Sequence, residues 1–359
     1  MIAQTPRLEI YPDRIAENAR VVYDLCHAHG AQVAAVGKVV CAHPEVVHAM
    51  VGAGADMVAD SRIQNLTSIA ALGLERPSML LRIPTPSAAH DIVRYADITL
   101  NSSLGSLQVL SDAARMLGVT HQAVLMIDVG DLREGVWPDH AAKVAEAAAA
   151  LPNLELIGVG ANLACYGGVI PSVENMRMLV DVRDSCREAS GLELGLISGG
   201  NSSSLPLLAS GDMPAEINHF RIGETVILGS NVLDRSDWPG TRQDTVRLVA
   251  EIVELERKPS VPIGLRAQNA FGETVEFDDR GMRLRAICNI GRQDTSVDGI
   301  LPHDPGIRVI GGSSDHLILD VEDATTEVRL GSEVSFTPNY GALLGLATSP
   351  YVEKIVRRG

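Results

Sequence analysis

Lysine is scarce in this chain, which makes each one informative. Of 30 basic residues among 359, four are lysine: Lys38, Lys143, Lys258 and Lys354. The last three stand among polar or charged neighbours, as solvated surface lysines do. Lys38 instead ends the apolar run AQVAAVG, where the carboxyl end of a buried strand is expected. An amine in that place can form an imine with a carbonyl compound. It can equally be a long side chain reaching from a strand end to water.

Three other stretches give Lys38 company. Ser198-Gly-Gly-Asn-Ser-Ser-Ser204 precedes a helical segment. Its glycines let the backbone approach an anion, and Asn201, Ser202 and Ser203 bring donors to the start of a helix. An N-cap run in a flexible loop is the plainer reading of the same residues. In Phe220-Arg221-Ile222-Gly223 an arginine sits mid-strand, where an unpaired guanidinium is prohibitively costly, so Arg221 needs a partner. The run Asp128-Val-Gly-Asp-Leu-Arg-Glu-Gly135 carries Arg133 on a turn, able to hold a substrate carboxylate with two hydrogen bonds. Ala161-Asn162-Leu163 closes another strand. A lysine, a phosphate cradle and two arginines on one rim describe a pyridoxal phosphate (PLP) site for an amino acid.

The elements that must position these residues alternate. Apolar runs at Val33–Gly37, Asp56–Ala59, Met79–Ile83, Asp97–Leu100, Ala123–Asp128, Glu155–Ala161, Glu193–Ser198 and His219–Gly223 are separated by stretches with helical spacing. Eight such units in this length predict a closed (β/α)8 TIM-type barrel, with the site at the carboxyl ends of its strands. A doubly wound open sheet is the alternative and suits five or six units better. From residue 234 the texture changes. A polar linker, Ser236–Asp244, leads into strand-like runs at Arg247–Leu255, Arg283–Ile290, Ile307–Gly311, His316–Val321 and Glu333–Phe336, with amphipathic helices nearly absent. The expectation is a barrel over 1–233 and a smaller, mostly antiparallel β domain over 234–359, with a first strand near 7–11 able to join the latter.

Composition narrows the partners. A net charge of −15 opposes nucleic acid and anionic membrane, both of which need clustered positive charge. Five scattered cysteines without a CxxC pair read as thiols of a reducing compartment. No signal pattern or long apolar stretch is evident, and the expected location is the cytoplasm.

With these residues in view, the chain resembles the alanine racemase superfamily, the fold-type III PLP enzymes, along essentially its whole length. Within it, the strings AVGKVVCAHP, ADSRIQNL, IDVGDLREG, CYGGVIP, SGGNSSS, GRQDT, SSDHLILDV and YGALL are similar to the ornithine racemase group. The resemblance implies that Lys38 carries PLP and that Arg133 is the carboxylate-side arginine. It also puts Asn162 where a ring-stacking His is usual, gives Asn201, Ser202, Ser203, Gly223 and Tyr351 the phosphate, and sets Arg221 at the pyridine nitrogen. The implied activity is a two-base racemase of a basic amino acid, ornithine first, in which Lys38 moves the α-proton on one face. Head-to-tail homodimers with shared active sites are implied as well.

Departures leave the opposite face open. Arg292 stands where the second base is usually tyrosine, Ala42 replaces another tyrosine, and Met126 replaces a lysine that can be carbamylated. Candidates for the second base are Asp294, His316 and Tyr340. Asp294 and Asp315 can instead hold a distal ammonium, and Tyr340 belongs to the substrate region. Asp315-His316 can also be read as two metal ligands, but no third is evident and no metal is expected. Rival readings on the same scaffold are a metal-assisted D-amino-acid aldolase or dehydratase, a basic amino-acid decarboxylase and a non-catalytic PLP carrier.

Overall fold

The computed structural model describes residues 5–358. By its internal packing the chain forms two units: one runs from Pro12 to Gln243, the other joins the chain up to Tyr11 with the segment from Asp244 onward.

The Pro12–Gln243 unit is the expected barrel. Eight parallel strands close on themselves: β2 (Gln32–Val36), β3 (Met57–Asp60), β4 (Ser78–Leu80), β5 (Ile98–Asn101), β6 (His121–Met126), β7 (Leu154–Gly160), β8 (Leu196–Ser198) and β9 (His219–Ile222). Closure is made by β2 and β9, with Ala34 opposite Arg221. The helices are α1 (Pro12–Ala28) ahead of the first barrel strand, then α2 (Pro44–Gly52), α3 (Ile63–Ala70), α4 (Ala89–Tyr95), α5 (Leu104–Leu117), α6 (Pro138–Ala149), α7 (Val173–Ser190), α8 (Leu205–Ala209) and α9 (Glu224–Leu228).

Local chemistry explains the boundaries. Ser103 caps α5, and Ser172 with Asn175 forms a reciprocal capping box on α7. Both helices end on a glycine in the left-handed region, Gly118 and Gly191. The strands alternate inward and outward. Ala34, Val36, Met57, Ala59, Met79, Ile98, Leu100, Val124 and Met126 fill the barrel. Val58, Leu80, Leu66, Ile92 and Leu110 belong to a second layer that includes the surrounding helices. Each fully buried aliphatic side chain contributes roughly 1.5–3 kcal/mol, so the barrel's strand ends are a rigid platform.

The expected linker is not one. Residues 236–243 fold back on the barrel. Trp238 N–H donates to Gly229 O at 2.8 Å, and Thr241 Oγ1 donates to the same carbonyl at 2.7 Å. Asn18 of α1 exchanges two hydrogen bonds with the Arg242 backbone, at 2.7 and 2.8 Å. These bonds move the division from residue 233 to Gln243.

The second unit is a mostly antiparallel sheet. Its strands are β1 (Arg7–Ile10), β10 (Val246–Pro259), β11 (Met282–Cys288), β12 (Ile300–Pro302), β13 (Arg308–Gly312), β14 (Leu317–Asp320), β15 (Glu333–Pro338) and β16 (Glu353–Val356). The order is β12-β15-β10-β11-β14-β13, and β1 pairs antiparallel with β10 and parallel with β16. A helix, α10 (Tyr340–Thr348), adds to the predicted strands. Glu9 of β1 is almost fully buried and takes Arg7 Nε at 2.9 Å, Arg247 Nε at 2.8 Å and Arg357 Nη2 at 2.8 Å. Burial alone would raise its pKa, but the guanidinium donors outweigh that and hold it down at about 2.

Candidate active site

The carboxyl ends of the barrel strands gather the polar residues singled out above. Lys38 follows β2 and opens a single 3-10 turn, Lys38–Val40, with Gly37 before it. A Cβ on Gly37 would stand 3.3 Å from Ala42 Cα, tighter than ordinary packing. The next two barrel neighbours of β2 each supply an acid. Asp60 ends β3 and Glu224 begins α9 directly after β9. The Lys38 charge acts on both.

Arg221 of β9 points into the protein and is 5% exposed. It donates through Nη1 to Ser198 Oγ and through Nη2 to the Ala161 carbonyl at 2.8 Å and Asn162 Oδ1 at 3.5 Å. Ser198 Oγ also lies 2.8 Å from Nδ1 of the buried His219. Burial, then the Arg221 charge, pushes the His219 pKa down to about 3. Burial likewise lowers Arg221 itself to about 10, with Glu134 opposing the fall. The result is a weakly acidic guanidinium with little water around it.

The serine loop is ordered by its own side chains. Asn201 Oδ1 accepts from Ser203 N–H at 2.8 Å, while Asn201 Nδ2 donates to Leu163 O at 3.0 Å and Asn162 Oδ1 at 3.2 Å. Ser202 Oγ accepts from Gly223 N–H and Thr225 N–H, each at 3.4 Å, which leaves its hydroxyl proton for another acceptor. Gly200 has φ +113°, and a Cβ there would stand 2.7 Å from Ser204 Oγ. At Gly223 a Cβ would meet Val36 at 2.9 Å. Two glycines thus keep a close backbone cradle open beside buried serines. This donor set, a buried arginine and an amine on the first strand fit a phosphorylated aromatic aldehyde.

Arg133 is held by residues that sequence patterning did not single out. Asp128 Oδ1 accepts from Gly130 N–H at 2.9 Å and Leu132 N–H at 3.1 Å, curling the turn. Gly135 (φ +145°) closes it, since a Cβ would lie 2.3 Å from Asp128 N. Buried Asp131 accepts from Cys165 N–H (3.3 Å), Tyr166 N–H (3.0 Å) and Val169 N–H (3.1 Å), clasping the loop after β7. The Arg133 guanidinium is engaged by Glu134 through Nε and Nη2, and its Nη1 donates to Cys165 Sγ at 2.7 Å. Burial weakens its charge, but Glu134 more than restores it. The Asn162 amide stands between the arginines: turned over, it gives up its oxygen's bonds to Arg221 and Asn201, and that oxygen instead accepts from Arg133 Nη1 at 3.2 Å and Nη2 at 3.3 Å.

The remaining candidates belong to the β unit and are arranged differently. Asp294 is buried and accepts from the Ser349 hydroxyl at 2.6 Å. His316 is half exposed, with Nδ1 3.2 Å from Asp315 Oδ1. Tyr340 begins α10 and Tyr351 is largely exposed. Arg292 stacks on Phe271 with its Cζ 4.6 Å from the ring centroid, and it donates to Glu273 Oε1 at 3.0 Å and Gly312 O at 3.2 Å. Phe271, Arg292 and Asp294 border one open cavity of about 420 Å³.

Residues 10–231 match the family model described as the alanine racemase N-terminal domain. The chain is 41% identical over 350 residues to ornithine racemase of Acetoanaerobium sticklandii, covering 97% of this chain and 99% of that one. It is 38% identical over 352 residues to lysine racemase of Thermotoga maritima, covering 98% of each. Among solved structures, alanine racemase from D-cycloserine-producing Streptomyces lavendulae superposes with a TM-score of 0.76 at 19% identity, covering 98% of this chain and 97% of that one. That last likeness concerns the fold.

Proposed function

We propose, from the premise that the chain belongs to the alanine racemase family, that it is a PLP-dependent racemase interconverting the L and D forms of a basic amino acid, ornithine first. What supports the substrate class is the near-full-length similarity to two proteins named for ornithine and lysine. What supports the chemistry is the buried Arg221, already joined to Ser198 and Asn162, beside the serine cradle.

PLP, when bound, withdraws electrons from the substrate α-carbon and so acidifies its C–H bond. Lys38 holds the cofactor and then takes or returns the α-proton through Nζ on one face. Arg221 would donate to the pyridine nitrogen of the bound cofactor, and its positive charge would disfavour a second proton there, which favours simple proton return over amino transfer. Asn201, Ser202, Ser203 and Gly223 would hold the phosphate, joined by Tyr351, and Asn162 would stand beside the ring. Arg133 takes the substrate carboxylate, and Glu134 orients it. On the opposite face His316 is the favoured second base, because Asp294 is committed to Ser349 while His316 is exposed and held by Asp315. Tyr340 completes the substrate side and Asp315 reads the distal ammonium. In this reading the β unit serves the barrel of a second subunit in a head-to-tail homodimer of the cytoplasm.

The test is a panel of L-amino acids in heavy water with purified enzyme. Deuterium at the α-carbon with decay of optical rotation, greatest for ornithine or lysine, is expected. Release of CO2, ammonia or an aldehyde instead would identify one of the rival chemistries.

A further inference from the structure

Strand β2, which delivers Lys38, has β3 and β9 as its barrel neighbours. The acids they bring up are supplied very differently. Glu224 is ion-paired with Arg235. Asp60 is 0% exposed, and its two oxygens are unequal. Oδ1 accepts from Arg62 N–H and from Asn65 Nδ2, both at 2.9 Å. Oδ2 is buried with no hydrogen-bond partner. The bonds to Arg62 and Asn65 use Oδ1 alone, so they do not account for an unpartnered buried oxygen, which costs stability. Burial raises the Asp60 pKa, while its hydrogen bonds and the Lys38 charge draw it back. The two strand ends are locked together, since Gly37 N–H donates to Ala59 O at 3.1 Å and Val36 lies opposite Ala59.

We propose, resting on the reading of Lys38 as the proton carrier, that Asp60 is its positioning residue: the free carboxylate oxygen supplies the opposite charge when the amine becomes ammonium. In that step the α C–H bond breaks and an N–H bond forms on Nζ. The electron pair stays on the substrate, and Asp60 neither gains nor loses a proton. The strand-end carboxylate fixes the direction in which the ammonium sits.

Asp60→Asn separates charge from hydrogen bonding, because the amide oxygen still accepts from Arg62 and Asn65. The chain's four lysines make 15N labelling at Nζ directly readable. In the labelled full chain, D60N is expected to move the Lys38 resonance, with those of Lys143, Lys258 and Lys354 unmoved as a report of folding. In the holoenzyme, kcat falls on the order of tenfold or more with KM near wild type. The α-deuterium isotope effect grows for the enantiomer whose proton Lys38 removes and not for its mirror image. Asn65→Ala removes one of those bonds, keeps the charge and leaves these readouts at wild type. An unmoved Lys38 resonance in D60N overturns the assignment, as does an N65A variant that reproduces the loss of kcat. A wild-type protein that racemises no basic amino acid sinks the proposed function instead, and the Nζ signal still decides the link between Asp60 and Lys38.

Discussion

Two buried carboxylates show how differently the two units use charge. Glu9 in the β unit is enclosed by Arg7, Arg247 and Arg357, and both of its oxygens are bound. Asp60 at the barrel rim is just as buried and has one oxygen left over. Arg221 and Ser202 at the same rim likewise offer protons to something beyond their present neighbours, whereas Arg283 of the β unit is taken up by Asp320 and Asp323. A closed network fixes structure, and open valences at a strand end prepare chemistry. Substitutions at the rim should therefore change turnover and spare stability, and those in the β network should do the reverse.

Lys38→Ala is the strongest test of the rim. Racemisation is expected to fall by about 10³-fold or more, along with loss of the visible absorbance of the protein-linked cofactor and an unchanged melting temperature. A variant that keeps the absorbance would move the cofactor to another residue. Glu9→Gln is the counterpart. It leaves three guanidinium groups around a neutral amide and should cost about 3 kcal/mol in denaturant unfolding, with turnover per folded molecule unchanged. The pH dependence has a definite sign. The folded pKa of Glu9, about 2, lies below the ordinary 4.5. Its contribution is therefore fully present above about pH 4.5 and is lost as pH falls toward 2. The wild-type and E9Q unfolding curves should converge across that window, and parallel curves would show that Glu9 is not the group responsible.

Glu134→Gln probes a rim pair that resembles the closed kind. The substitution removes the charge that orients Arg133, and KM is expected to rise about tenfold with kcat less affected. A kcat defect with normal KM would reassign Glu134 to the chemistry. The smallest effect belongs to Ser172→Ala, which deletes half of a capping box and should cost about 1 kcal/mol with no kinetic consequence.

Much of this was legible in the sequence, for physical reasons. Barrel strands are buried on both faces, so β6 and β7 read as apolar runs, and Lys38, Arg133, Asn162 and Arg221 stand out against them. The β unit was harder. The far end of β10 continues to Pro259 because it pairs with Met282 in a ribbon that is not apolar, so periodicity stops at Leu255. Helix α10, with sequence YGALLGLAT, is apolar on nearly every side and has no amphipathic stripe to detect. Strand β16 is four residues long and half polar. Asp60, Asp131, Glu134 and His219 were missed because an acid after a strand ordinarily caps the next helix. Only the folded arrangement shows which oxygens are left over and which histidine is shielded. Arg292 was legible as a departure, but its place over Phe271 with Glu273 was not.

The pairing of β1 with β10 and β16 has a consequence in the order of synthesis. Arg7–Ile10 is made before the barrel, yet its partners lie beyond it, at Val246–Val249 and Glu353–Val356. At about 5–20 residues per second, the whole barrel is made while that strand waits tens of seconds with both edges unpaired and Glu9 without Arg247 or Arg357. The barrel can settle co-translationally, and the β unit cannot be complete until Glu353–Val356 has emerged. A nascent chain stalled shortly after residue 243 should thus present a finished barrel preceded by a sticky N-terminal strand, a natural target for a holding chaperone.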